Sequence, residues 1–266
     1  MDVKCAVGLP TVGEFGDVRA LLDLAVAAEQ HGWDGVQLWD HVLYDEPGWP
    51  VTSPVVVAAA IAAATTRLRI ILTVTLPRRQ VQDVARDTAA IDALSGRRLT
   101  VLATIGSMDR EYTEFGLDRD LRARGRALDE RLDQLRELWA RWDAPPIPIW
   151  CGARWPRKPG LRRAARFEGA MPLFDNQPGS AVPVDQFAEA ASFVRHLAVK
   201  DLDIAIEGAT DGPTEGQRIA SYARVGMSWW VEALGWWRGD RADAMRRVTQ
   251  GPPAVPTDQA AVDAVA

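Results

Sequence analysis

Cysteine is almost missing from this chain: Cys5 and Cys151 are the only two among 266 residues. Two thiols are too few for a disulfide framework or a zinc cage, so both are expected to be reduced and buried. Histidine is nearly as scarce, with only His31, His41 and His196. No His/Asp/Glu set stands at ligand spacing, so no resident metal is expected. Basic charge does not dominate either. Lys and Arg number 31 against 36 Asp and Glu, for a net charge of −5 and a pI near 5.3. That balance leaves no basic face for nucleic acid. No stretch reaches the roughly 18 uncharged apolar residues of a membrane span, and residues 1–8 lack the layout of a secretory signal. A cytoplasmic protein with no membrane partner is the expectation. No glycine-rich phosphate loop follows any predicted strand, which counts against an open dinucleotide-binding sheet. No linker or low-complexity tract divides the chain, so residues 1–266 are expected to form a single domain.

What is present is an alternation. Apolar runs at 3–9, 36–39, 68–76, 99–105, 147–151, 169–174, 202–207 and 226–231 read as eight buried strands. Between them, apolar residues recur at helical spacing. Val18, Leu21, Leu22, Ala25 and Ala28 mark one such helix, residues 55–64 a second, and Val84, Thr88, Ile91 and Leu94 a third. Leu128, Leu132, Leu135, Leu138 and Trp139 mark the strongest, and further helices are predicted at 187–197 and 241–248. Continuous apolar strands alternating with amphipathic helices require a parallel sheet covered by helices. Eight such units predict an α/β fold, a closed (β/α)8 TIM barrel.

In such a barrel the reactive groups stand where strands end at their carboxyl side. The expected rim is Thr11 and Phe15, then Trp39, Asp40 and His41, then Thr73, Val74, Thr75 and Leu76, then Ile105, Gly106 and Ser107. It continues through Gly152, Ala153, Arg154 and Trp155 to Phe174 and finally Trp229 and Trp230. Such an aromatic rim with small hydroxyl and glycine positions suits a flat ring and a gripped phosphate. His41 has the titration range of an acid/base and the right position, against the plainer reading of a structural histidine. Asp40 either orients His41 or caps the following turn, since neighbours on an extended chain point apart. Most of the 11 tryptophans, Trp139, Trp142, Trp236 and Trp237 among them, are expected in packing roles, whereas Trp39, Trp49 and Trp155 follow strands. The basic run of Arg154, Arg157, Lys158, Arg162, Arg163 and Arg166 reads equally as a wet helix face or an anion site.

Five segments in order carry a resemblance: AEQHGWDGVQLWDH at 28–41, AAATTRLR at 62–69, LSGRRL at 94–99, EYTEFG at 111–116 and RAARFEG at 163–169. Together they resemble the bacterial luciferase-like flavin-dependent oxidoreductases, from the first strand to about Phe174. The resemblance implies FMN or the deazaflavin F420 bound at the barrel's carboxyl mouth, with His41 near the reactive face of the ring. Val74-Thr75 is similar to the family's bulge against the isoalloxazine. Arg126 resembles a phosphate-gripping arginine, and Gly152-Ala153-Arg154 the other phosphate contact. In the family's F420-dependent sugar-phosphate dehydrogenases an acidic glutamate follows strand four; here Gly106-Ser107 stands there, which argues against a sugar phosphate. The chain is short for the family, so an open pocket or one closed by a partner subunit is expected.

The expected function is therefore a flavin- or deazaflavin-dependent oxidoreductase or monooxygenase acting on a small organic substrate. A homodimer, and a flavin or F420 reductase supplying reduced cofactor, are the partners the resemblance allows. The rival is a catalytically idle flavin-binding or structural barrel. An isomerase or aldolase is disfavoured, because no lysine and no paired carboxylates stand at the strand ends.

Overall fold

The computed structural model describes residues 3–44, 46–175 and 181–256. Eight parallel strands close into one barrel in sequence order: β1 (Lys4–Leu9), β2 (Gly35–Leu38), β3 (Arg69–Thr75), β4 (Leu99–Thr104), β5 (Ile149–Arg154), β6 (Gly169–Leu173), β7 (Asp203–Gly208) and β8 (Trp229–Ala233). Around them run α1 (Val18–Gln30), α2 (Pro54–Ala64), α3 (Val81–Leu94), α4 (Arg110–Thr113), α5 (Leu121–Arg141), α6 (Lys158–Ala164), α7 (Val184–Leu197), α8 (Gly216–Arg224) and α9 (Arg241–Thr249). Local chemistry sets several starts. The Asp17 carboxylate accepts the Arg19 and Ala20 amides ahead of α1, Ser53 caps α2 with Pro54 at its first position, and Asp120 accepts the Ala123 amide ahead of α5. The main core lies between barrel and helices, and Trp33 closes the ring of helices by donating its indole N–H to Val248 O at 2.9 Å.

Two strands lie further along the chain than predicted. Gly226, at φ +108°, belongs to the turn before β8, so that strand starts at Trp229 and runs to Ala233. Trp229 pairs with Lys4 at the amino end of the barrel and packs inside it, and Trp230 is buried on the outer side. Neither reaches the rim expected of them. The strand after Pro145-Pro146 likewise begins at Ile149, which makes Gly152, Ala153 and Arg154 its last residues. Helix α8 went unpredicted because its nine residues show only a short apolar stripe, Ile219, Ala220 and Tyr222.

Inside the barrel, register and side-chain alternation stack inward positions in layers of four from alternate strands. Ala6, Ile71, Trp150 and Ala205 form one, and Gln37, Leu102, Met171 and Val231 the next, most of them in a single buried cluster. Above them come Gly8, Thr73, Gly152 and Glu207. Two of the four positions there are glycines, with Val231 and Gln37 packed against Gly8 and Thr104 against Gly152.

Candidate active site

His41 follows β2 at that mouth. Its Nδ1 lies 3.1 Å from Glu111 Oε1, and the same oxygen accepts the Val42 amide at 2.8 Å. Arg78 Nη1 stands 2.7 Å from it as an ion pair. Burial acts to raise the Glu111 carboxyl, but the His41 hydrogen bond, the charges of His41 and Arg78 and the Val42 amide outweigh it and hold the group below the usual carboxylate range. The imidazole keeps 14% of its surface exposed while the carboxylate is almost completely covered. A buried acid thus orients an accessible base, an arrangement suited to taking up or releasing a proton. Glu111 lies on the short helix α4, outside the expected rim, although it opens the EYTEFG segment. Glu111 thus brings a carboxylate to His41 from α4.

Asp40 points away from this pair. One carboxylate oxygen accepts the Thr75 amide at 2.7 Å and the other meets Arg79, while its own carbonyl accepts from Arg78 Nη2 at 2.8 Å. At 4% exposed, it binds the end of β2 to the end of β3, in place of the expected roles of orienting His41 or capping the turn after it.

Thr73, Thr104 and Glu207 all face inward, and each retains some solvent contact near the open end of the barrel. Thr73 accepts the Gln37 amide N–H at 2.7 Å. Glu207 was not anticipated; burial pushes its carboxyl up to about 7. Its position inside β7, with no aromatic or histidine beside it in sequence, carried no signal.

The other expected contacts are spread more widely. Val74 and Thr75 are buried, and the β3–β4 register runs unbroken to Thr75↔Thr104, so the expected bulge is ordinary strand. Ile105 is half-buried, Ser107 exposed, and Gly106 turns at φ +73° with its Cβ position 3.0 Å from Thr75 Cγ2. Tyr112, whose phenol burial pushes up to about 12, donates to Ile105 O at 2.7 Å and fixes this turn. Arg126 projects into solvent from α5, and Arg124 is the arginine turned inward. Arg124 lies 3.7 Å over the Tyr112 ring and bonds Asp109 at 2.7 Å, while its Nε and Nη1 are buried without a hydrogen-bond partner. The signal was available: Arg124 lies four residues before Leu128 and shares its buried face. Gly152 is half-buried and Ala153 buried. Arg154 is exposed and paired with Asp175 at 2.8 Å, and Trp155 packs on Phe193 rather than over the mouth. Thr11, Phe15 and Phe174 are buried.

Trp236 and Trp237, expected in packing roles, stand half-buried at the mouth with Trp39, Tyr44 and Trp49. A separate cavity of about 220 Å³ lies between the loops after β7 and β8 and the start of α9. Its Thr210, Arg238 and Arg247 are bound to buried Glu232 and to one another. Among the described residues no group of three metal-ligating side chains comes together, and no helix is long and apolar enough to cross a membrane.

A sequence profile described as luciferase-like monooxygenase matches residues 4–265. The chain belongs to this family. The fold of this luciferase-like chain recurs in solved structures of low identity. Monooxygenase RslO1 from Streptomyces bottropensis is 18% identical over 93% of this chain and 97% of its own, with a TM-score of 0.71. An F420-dependent secondary alcohol dehydrogenase, solved with an F420-acetone adduct, is 14% identical over 97% of this chain and 100% of its own, at 0.78. The oxygenating constituent of 3,6-diketocamphane monooxygenase from Pseudomonas putida, solved with FMN, is 13% identical over 83% and 71%, at 0.67. A search of curated proteins returned no match. The EYTEFG segment and the first turn of α5 supply Glu111, Tyr112 and Arg124, three side chains that meet around the loop after β4.

Proposed function

We propose that this chain is an oxidoreductase that holds FMN or F420 at its carboxyl mouth and uses His41, oriented by Glu111, to manage a proton on a small organic substrate. The observation that carries this reading is the His41–Glu111 pair, a partly exposed base on a buried carboxylate, standing at the carboxyl end of the barrel. The bound ring would supply hydride transfer or oxygen activation. Thr73 and Thr75 on β3 and the Ile105-Gly106-Ser107 turn would flank it. Arg124, whose buried Nε and Nη1 lack hydrogen-bond partners, fits a phosphate better than the solvent-facing Arg126. Asp40 serves by fixing β2 to β3, so that His41 and Thr75 keep their spacing.

A homodimer, and a reductase supplying reduced cofactor, belong to the same proposal. Replacement of His41 by alanine is the test. Turnover should fall far more than cofactor affinity, by about 10²- to 10⁴-fold if the imidazole transfers a proton. Equal loss of both would assign His41 a structural role.

A further inference from the structure

The loops after β2 and β8 meet ring to ring. Trp39 stacks on Trp237 at 5.5 Å and 11°, and Tyr44 on Trp49 at 5.9 Å and 10°. Trp236 stands edge-on to all four, at interplanar angles of 76–85° and 4.8–6.2 Å. This herringbone is built by the backbone. Gly13, at φ +62°, lies against the Trp49 ring, where a Cβ would come within 2.8 Å of it. Gly235 likewise seats Trp237, whose ring would lie 2.1 Å from any Cβ there. Two glycines are thus spent on letting two indoles into the mouth, and all five rings remain partly exposed.

The group joins the reacting end directly. His41 is edge-on to Trp39 at 5.8 Å and to Tyr44 at 5.2 Å. Charge next to it is already matched: Asp40 is held by Arg78 and Arg79, and Glu111 by His41 and Arg78. Among the described residues no lysine or arginine lies over Trp39, Trp49, Trp236 or Trp237. A carboxylate or phosphate substrate would find Arg78 and Arg79 already paired with Asp40 and Glu111. A quaternary ammonium needs several ring faces around it, and here neighbouring rings cover most faces, whereas a flat ring needs only one. A flat, uncharged ring extends the existing pattern.

Resting on the reading of this mouth as the reaction site, we propose that the Trp39/Tyr44/Trp49/Trp236/Trp237 cluster is a substrate subsite selecting uncharged aromatic molecules, which stack there with their reacting group at His41. The subsite is a property of this chain's two loops and does not depend on which ring cofactor binds.

The test is binding of 2-naphthol, 2-naphthoate and phenyltrimethylammonium to the purified protein, with and without FMN, by titration calorimetry. Naphthol should bind about tenfold more tightly than either ion, and Trp237→Ala and Trp49→Ala should each weaken it roughly two- to tenfold, as loss of an aromatic pair does. Gly235→Val should act in the same direction by unseating Trp237, with circular dichroism confirming an intact barrel. Unchanged naphthol affinity in both tryptophan variants, or preference for either ion, overturns the proposal. Naphthol binding that depends on the tryptophans in a protein that takes up no flavin or F420 would uphold the subsite and defeat the redox reading instead.

Discussion

At the His41 imidazole, the proposed proton transfer rests on the orientation that Glu111 gives the ring. Glu111 Oε1 is shared among His41, the Val42 amide and Arg78, so Glu111→Gln should misplace the imidazole and the backbone after it together. We expect turnover to fall by about tenfold or more, short of the His41→Ala loss, with cofactor affinity changed little; steady-state kinetics beside a cofactor titration checks this. Glu207 gives a second residue-scale expectation. Its folded pKa near 7 lies above the roughly 4.3 of an unfolded glutamate. The folded state therefore binds more protons between those values, and stability should decline as pH rises from about 4 to about 7. Glu207→Gln removes that decline, so melting temperatures of variant and parent, compared at the two ends of this window, should diverge towards the alkaline end. A constant difference across the window would contradict the assignment. At this scale the sequence revealed His41 by its place at a strand end. Glu207 remained hidden because a lone acid inside an apolar strand looks like any other, and Asp40 misled because its partners come from β3 and the turn after it.

Among the elements, Glu29, the Thr65–Leu68 turn and Arg98 form joints at the amino end of the barrel. The Glu29 carboxylate on α1 accepts the amides of Thr66, Arg67 and Leu68 at 2.5–3.1 Å, clasping the turn before β3. Arg98, entering β4, donates to Ala62 O, Thr65 O and Leu68 O and to Thr65 Oγ1 at 2.6–3.1 Å, joining the end of α2 to two strands. Arg98→Met should cost roughly 3 kcal/mol, since it abandons several carbonyls at once; denaturant melts would show it. Burial acts to raise the Glu29 carboxyl, but the three amides prevail and lower it. Its contribution is thus present above the unfolded value and is lost as pH falls through the lowered folded one. Glu29→Gln should accordingly flatten the acid limb of the stability profile and leave turnover unchanged. These segments were legible because they join consecutive units locally. Strand phase was not: β5 and β8 begin later than the apolar runs suggest, since Ile147 before Pro148 and Met227 after Gly226 are apolar residues of the preceding turns. The phase error moved the aromatic rim from Trp229-Trp230 to Trp236-Trp237.

For the whole molecule, eight apolar runs separated by amphipathic stretches sufficed to predict a closed barrel, because alternation at that period has few packed solutions. The mouth was less legible, since it is assembled from loops whose rings, charges and glycines meet only after closure. The account's central claim is that this mouth holds a flavin or deazaflavin ring. Titrating the purified protein with FMN and, separately, with F420, following the fluorescence of each ring, tests it most directly. Saturable binding of one of them, weakened by Arg124→Ala and preserved in Arg126→Ala, is the expected result; failure to bind either ring would contradict the account.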